Sequence, residues 1–134
     1  MIKSVLFVCY GNACRSIMAE ALANHHLGVK LEVASAGLSA LGYIPGATIE
    51  VLREIGIPTH GLYSKGISEL EIDGFQLILD LASYPLEDIL PPSFTGKVIH
   101  WYVRDPFQES LDAFRQTRNA IEWLVTEKLP EWIG

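Results

Sequence analysis

Ser4-Val5-Leu6-Phe7-Val8-Cys9-Tyr10-Gly11-Asn12-Ala13-Cys14-Arg15-Ser16 reads as a buried strand, a tight loop and the first turn of a helix. The apolar run before Cys9 is continuous rather than alternating, the pattern of a strand covered on both faces of a parallel sheet. The loop after it has the form Cys-x5-Arg-Ser. Backbone N–H groups of such a loop at a helix N-terminus form an anion cradle. Arg15 adds a planar fork able to bind two phosphate oxygens, and a cysteine in that setting is favoured as thiolate. Gly11 is expected to permit close backbone approach or a positive φ, and Asn12 tolerates the left-handed conformation. Ser16 places a hydroxyl near Cys9. Residues 10–16, from Tyr10 through Gly11, Asn12, Ala13, Cys14 and Arg15 to Ser16, are thus a candidate phosphate-binding loop, with Cys9 as candidate nucleophile.

Three more strands are predicted along the chain, over Leu31–Ser35, Leu77–Leu81 and Lys97–Tyr102, the first being Lys3–Cys9. Helices are predicted over Ser16–Leu27, Gly46–Ile55, a short piece at Pro85–Ile89, and Leu111 to about Leu129. The last has a stripe at Leu111, Phe114, Ile121, Leu124 and Val125, one buried side of a polar helix. Alternating strand and helix implies parallel pairing with right-handed crossovers. The expected fold is α/β: one domain over residues 1–134, a small doubly wound four-stranded parallel sheet with flanking helices, flavodoxin-like. Ligands bind such sheets beyond the carboxyl ends of the strands. Cys9 ends the first strand, and Asp105 shortly follows the last, on the same rim.

The 134 residues carry a formal net charge of −6 and are 49% hydrophobic and 19% charged. That composition fits a compact globular domain. An acidic balance argues against nucleic acid or an anionic membrane as partner, and no apolar run approaches the ~18–20 residues of a membrane span. A strand starting within a few residues of Met1 leaves no room for a signal peptide. Cys9 and Cys14 are the only cysteines, and the four histidines are scattered. Neither a disulfide framework nor a metal site is expected, so the reading is a cytoplasmic monomer without metal or cofactor. Cys9 and Cys14 could still bridge under oxidation; loop geometry decides that.

The motif Val8-Cys9-Tyr10-Gly11-Asn12-Ala13-Cys14-Arg15-Ser16, with Met18-Ala19-Glu20-Ala21, Ala34-Ser35-Ala36-Gly37 and Asp105-Pro106-Phe107, resembles the low-molecular-weight protein tyrosine phosphatases over essentially the whole chain. The resemblance implies the phosphotyrosine protein phosphatase I-like fold. It implies Cys9 as nucleophile, Arg15 as phosphate and transition-state ligand, and Asp105 as general acid and then base. Asn12 would hold the loop's shape, and Ser16 would stabilise the cysteine as leaving group. The substrate would be a phosphorylated protein, with Leu41 and Phe107 as walls for its side chain.

Several positions depart from the family's pattern. Ile17 stands where proline is usual, Ala13 where a larger apolar residue is, Leu41 where an aromatic is, Phe107 where a tyrosine is, and Ala82 where an aspartate is common. Ala13 and Phe107, with Ser110, Gln116, Thr117 and Arg118, are similar to the arginine phosphatase branch. His100-Trp101 ahead of Asp105-Pro106 is similar to the arsenate reductases of this fold. That branch relays electrons through cysteines after the third strand, and residues 79–90 contain none. A non-catalytic phosphoprotein binder would need neither thiol nor acid. The chemistry of His100 and His60 reads as packing or surface.

Overall fold

The computed structural model describes residues 1–134. Its centre is a parallel sheet of β1 (Ser4–Cys9), β2 (Glu32–Gly37), β3 (Leu77–Asp80) and β4 (Lys97–His100), in the order β2-β1-β3-β4. The order reverses at β1, which pairs with both β2 and β3. Every residue of β1 is buried, as its unbroken apolar run requires.

Successive side chains of β1 point to opposite faces. Val5 and Phe7 enter the larger core, while Leu6 and Val8 enter a second, smaller one. The α-helices α1 (Arg15–Leu27), α2 (Gly46–Glu54), α3 (Leu111–Trp123) and α4 (Leu129–Ile133) supply the larger core. The other face is covered by 3-10 turns and loops: Ile72, Phe75 and Leu86 close it. The short helix expected at Pro85–Ile89 is therefore only a 3-10 turn, Leu86–Asp88.

Most boundaries fall within one residue of those predicted, and three differ by more. β2 runs two residues further, because Gly37 pairs with Cys9 and donates its N–H to Lys65 O at 2.9 Å. β4 ends at His100, although Trp101 and Val103 still donate to Asp80 O and Leu81 O. The last helix is interrupted by a π turn at Leu124–Lys128 before α4. Pro130 supplies the reason: it has no N–H to give to Thr126, and its ring crowds that carbonyl. The apolar stripe survives, with Phe114, Ile121, Leu124 and Val125 buried.

Candidate active site

The loop after Cys9 is held from outside by its own carbonyls. Cys9 O accepts from Leu38 N, Tyr10 O from Ser39 N, and Gly11 O from Leu41 N and Ser64 Oγ. Thr48 Oγ1 donates to Ala13 O at 3.0 Å. In a trans peptide the following N–H points opposite to the carbonyl. Tying the carbonyls outward therefore turns the N–H groups of Tyr10, Gly11, Asn12 and Cys14 inward. No protein acceptor takes the N–H groups from Tyr10 to Cys14. The loop is a concave set of unused donors, the chemistry of an anion site.

Asn12 adopts the left-handed conformation at φ 49°, as its side chain allows. Gly11 does not have a positive φ, and a Cβ there would meet only Leu41 at 3.7 Å. The close approach belongs instead to Gly37, where a Cβ would lie 2.8 Å from Asn12 N, Gly11 C and Tyr10 O. The bareness of Gly37 lets β2 touch the loop backbone.

Arg15, the first residue of α1, is buried, and its Nη1 donates to Val103 O at 3.0 Å and Leu81 O at 3.3 Å. Its Nη2 faces Asp105 Oδ2 at 3.6 Å. Nε is buried without any partner, an unused donor beside the unused N–H groups. Asp105 stands half-exposed at the rim, where its Oδ1 accepts from Phe107 N at 3.1 Å. That Asx turn aims the second oxygen at Arg15.

Behind the loop, Ser16 Oγ lies 2.9 Å from Cys9 Sγ. Asn12 Nδ2 donates to Ser16 Oγ at 2.7 Å and to Ser35 Oγ at 2.9 Å, while its Oδ1 accepts from Lys65 N at 2.9 Å. Cys14 is also a buried free thiol; burial pushes it up to about 12, against the smaller lowering effect of its contact with Thr48.

These residues line a cleft of about 330 Å³: Cys9, Tyr10, Gly11, Ala13, Cys14 and Arg15 at its floor, Asp105 at its rim, and Ser39, Ala40, Leu41 and Phe107 as walls. The expected nucleophile, fork, acid and both walls thus converge, whereas Asn12 and Ser16 lie buried behind the floor. A thiol facing an anion cradle, with a carboxyl at the mouth, can carry out displacement at a tetrahedral oxyanion.

Other residues considered on sequence grounds serve elsewhere. Ser110 Oγ caps α3 by accepting from Ala113 N, and Arg118 donates to Val51 O and Glu54. Gln116 and Thr117 line a separate cleft with Arg104 and Glu109. His100 bridges Asp80 and Glu87, 2.8 Å from each, and the buried Asp80 also accepts from Ala82 N and Tyr84 N. Sequence reasoning passed over Lys65, Glu20 and Ser35 as parts of the site's support, and over the two carbonyls that grip Arg15.

Comparison with known proteins agrees with this geometry. Residues 4–131 match the family described as low molecular weight phosphotyrosine protein phosphatase. The chain belongs to this family. Within and around the low molecular weight phosphatases, its relatives divide by activity. A glutaredoxin arsenate reductase of Synechocystis is 34% identical over 122 residues, covering 90% of this chain and 91% of the relative. The tyrosine phosphatase Wzb of Escherichia coli K30, solved with sulphate, superimposes with a TM-score of 0.86 at 26% identity over all of both chains. The YwlE arginine phosphatase of Geobacillus stearothermophilus gives 0.83 at 28% identity, covering 97% of this chain and 94% of that one. No helix of the chain is long and apolar enough to cross a membrane.

Proposed function

We propose that this protein is a cysteine-dependent phosphatase that hydrolyses phosphotyrosine in a phosphorylated protein substrate. The observation that carries the reading is the convergence of Cys9, the inward-facing donors and Asp105 in one cleft whose side walls, Leu41 and Phe107, are apolar. Such walls suit a flat ring leaving group.

In the first step the Cys9 thiolate attacks phosphorus, forming the S–P bond as the P–O bond to the tyrosyl oxygen breaks. Asp105, entering as the acid, gives that oxygen its proton. The three equatorial oxygens rest on the loop N–H groups and on Arg15, where the charge of a loose transition state is spread. In the second step Asp105, now a carboxylate, takes a proton from water as the water oxygen attacks phosphorus. The P–S bond breaks, phosphate leaves, and Ser16 donates to the departing thiolate at the distance seen here. The reading includes a monomer in a reducing, cytoplasmic setting, where both cysteines stay thiols.

Arsenate reduction is the second reading, favoured by the 34% identity to an arsenate reductase. It needs two electrons from thiols, and after Cys9 binds arsenic a second thiol must resolve the adduct. Cys14 is the only other cysteine, and burial keeps it protonated at neutral pH. An external thiol would have to supply the electrons. Phosphoarginine is a further substrate of the same first chemistry, with nitrogen as the leaving atom.

The test is turnover of matched phosphotyrosine and phosphoarginine peptides, and arsenite release with glutaredoxin or thioredoxin, by wild type and Cys9→Ser. Faster phosphotyrosine hydrolysis that disappears in Cys9→Ser is the expected result. A preference of about ten-fold or more for phosphoarginine, or arsenite release without phosphatase turnover, overturns it.

A further inference from the structure

Lys65 lies in the segment before β3, is 5% exposed, and has no part in the chemistry above. Its ammonium donates to Tyr63 O at 3.0 Å and approaches Glu20 Oε1 and Ser35 Oγ, each at 3.4 Å. Glu20 comes from α1 and Ser35 from β2. A lysine taken out of water is costly unless paired and hydrogen-bonded; Glu20, only 15% exposed, is its partner, and the pair is joined to Cys9 by an unbroken chain of polar contacts.

The directions of the hydrogens along that chain are fixed by its fixed donors. Lys65 N can only donate, so the Asn12 atom it meets is the carbonyl Oδ1. The Asn12 amide nitrogen is then turned to the other side, where it donates to both Ser16 Oγ and Ser35 Oγ. Each hydroxyl, having accepted, has its own proton left to give. Ser35 gives it to Glu20 Oε1 in a short contact. Ser16 gives it to Cys9 Sγ. If Ser35 lost its anionic acceptor, its proton would be free to compete for other acceptors, and the amide would lose a fixed partner.

We propose that the Glu20–Lys65 pair, lysine buried and carboxylate nearly so, is a positioning device for Cys9: the Lys65 ammonium holds the Glu20 carboxylate in place, Glu20 orients Ser35, and Ser35 with the Lys65 backbone fixes the Asn12 amide that points the Ser16 hydroxyl at the sulfur. Lys65 touches neither substrate nor Cys9, and its role in turnover rests on the reading of Cys9 as nucleophile. Its effect on the sulfur does not require a substrate.

The experiment reads both. Lys65→Met, Lys65→Gln and Lys65→Arg are compared with wild type, at a temperature where melting curves show each folded, by the rate of Cys9 alkylation with iodoacetamide at about pH 6 and by steady-state kinetics on para-nitrophenyl phosphate. Mass mapping separates Cys9 from Cys14. Lys65→Met is expected to slow Cys9 alkylation about five-fold or more, because the thiolate is the reacting form. It should lower kcat about ten-fold while KM stays within about two-fold. Lys65→Arg should recover most of both rates. Lys65→Gln, which retains a donor and avoids the largest folding penalty, should fall between. Folded Lys65→Met or Lys65→Gln with wild-type alkylation overturns the proposal, as does Lys65→Arg no better than Lys65→Met. Wild type that alkylates rapidly but turns over no phosphate ester sinks the phosphatase reading alone.

Discussion

Asp105 meets Arg15 across the mouth of the cleft, carboxylate Oδ2 to guanidinium Nη2 at 3.6 Å, with Arg15 buried and Asp105 47% exposed. The two residues are 90 positions apart in the chain, yet one closes the floor of the site and the other its rim. The pair is long and half in water, so it contributes little to stability. Its importance is positional, since it sets the carboxyl beside the group that would hold the phosphate.

The first prediction follows from that imbalance. Asp105→Asn keeps the size and the turn to Phe107 N but has no proton to give. It should lower kcat on phosphotyrosine peptide by about 10²- to 10⁴-fold, the range for loss of a general acid. Thermal melting should move little. A less basic leaving group should lose less, because it needs less protonation. An equal loss for strongly and weakly basic leaving groups would remove Asp105 from the acid role.

The second concerns the two thiols. Cys9 and Cys14 both line the floor of the cleft and are about equally buried, but burial pushes the Cys14 thiol up to about 12, whereas the Ser16 hydroxyl lies 2.9 Å from the Cys9 sulfur. At about pH 7.5 iodoacetamide should label Cys9 and leave Cys14 unmodified, since only thiolates react. Phosphate should protect Cys9. Cys14→Ala should keep substantial activity, while Cys9→Ser has none. Labelling of Cys14 at a rate near that of Cys9 would show that its burial is not maintained in solution.

The parts of the site legible in the sequence are those carried by contiguous residues. The strand before Cys9 was readable from its unbroken apolar run, and the loop from Asn12 and the Cys-x5-Arg spacing. Asp105 is placed on the same rim by its position after the last strand, and the family resemblance is what singles it out as the acid, since an Asp-Pro there alone reads as a turn. What could not be read has no local signature. The carbonyls of Leu81 and Val103 that hold Arg15 belong to residues whose side chains say nothing about it. Glu20, Ser35 and Lys65 come from three separate segments; the first two stand in motifs of the resemblance but with no role attached, and only the fold brings the three together. Gly11 attracted attention as the loop's glycine, yet the steric need falls on Gly37, which only the pairing of β1 with β2 brings against the loop. The predicted end of the last helix near Leu129 falls just before Pro130; that the chain stays helical beyond it by way of a π turn has no mark in the apolar stripe, which lies wholly before the proline.

The third prediction comes from Gly37. An added Cβ would press on three backbone atoms of the loop at 2.8 Å, and backbone cannot rotate away as a flexible side chain can. Gly37→Ala should destabilise by about 1–3 kcal/mol, the usual cost of overpacking. It should also reduce phosphate affinity, because the displaced atoms carry the inward N–H groups. Gly11→Ala, with its nearest contact at 3.7 Å, should leave both much closer to wild type. Urea unfolding and phosphate competition check the pair. If Gly11→Ala were the more damaging, the close-approach assignment would be wrong.

The fourth prediction is a pH dependence of stability at the end of β3. His100 joins the Glu87 and Asp80 carboxylates, and its hydrogen bond to Glu87, then that to Asp80, raises it above the ordinary 6.5. Its contribution is fully present below 6.5 and is lost as pH rises through the raised value in the fold. Glu87 runs the other way: the hydrogen bond from His100 lowers it below the ordinary 4.5. Its contribution is present above 4.5 and lost as pH falls through the lowered value. The two act together between these ordinary values, and because both groups are partly exposed, solvent screening keeps the effect modest. The difference in urea midpoint between wild type and His100→Phe should therefore be larger at about pH 5.5, below the ordinary value, than at about pH 9, well above it. Glu87→Gln should reduce that pH-dependent part and leave the contact with Asp80. A gap of the same size at both pH values would mean that His100 holds the 81–90 segment by packing and neutral hydrogen bonds, not by charge.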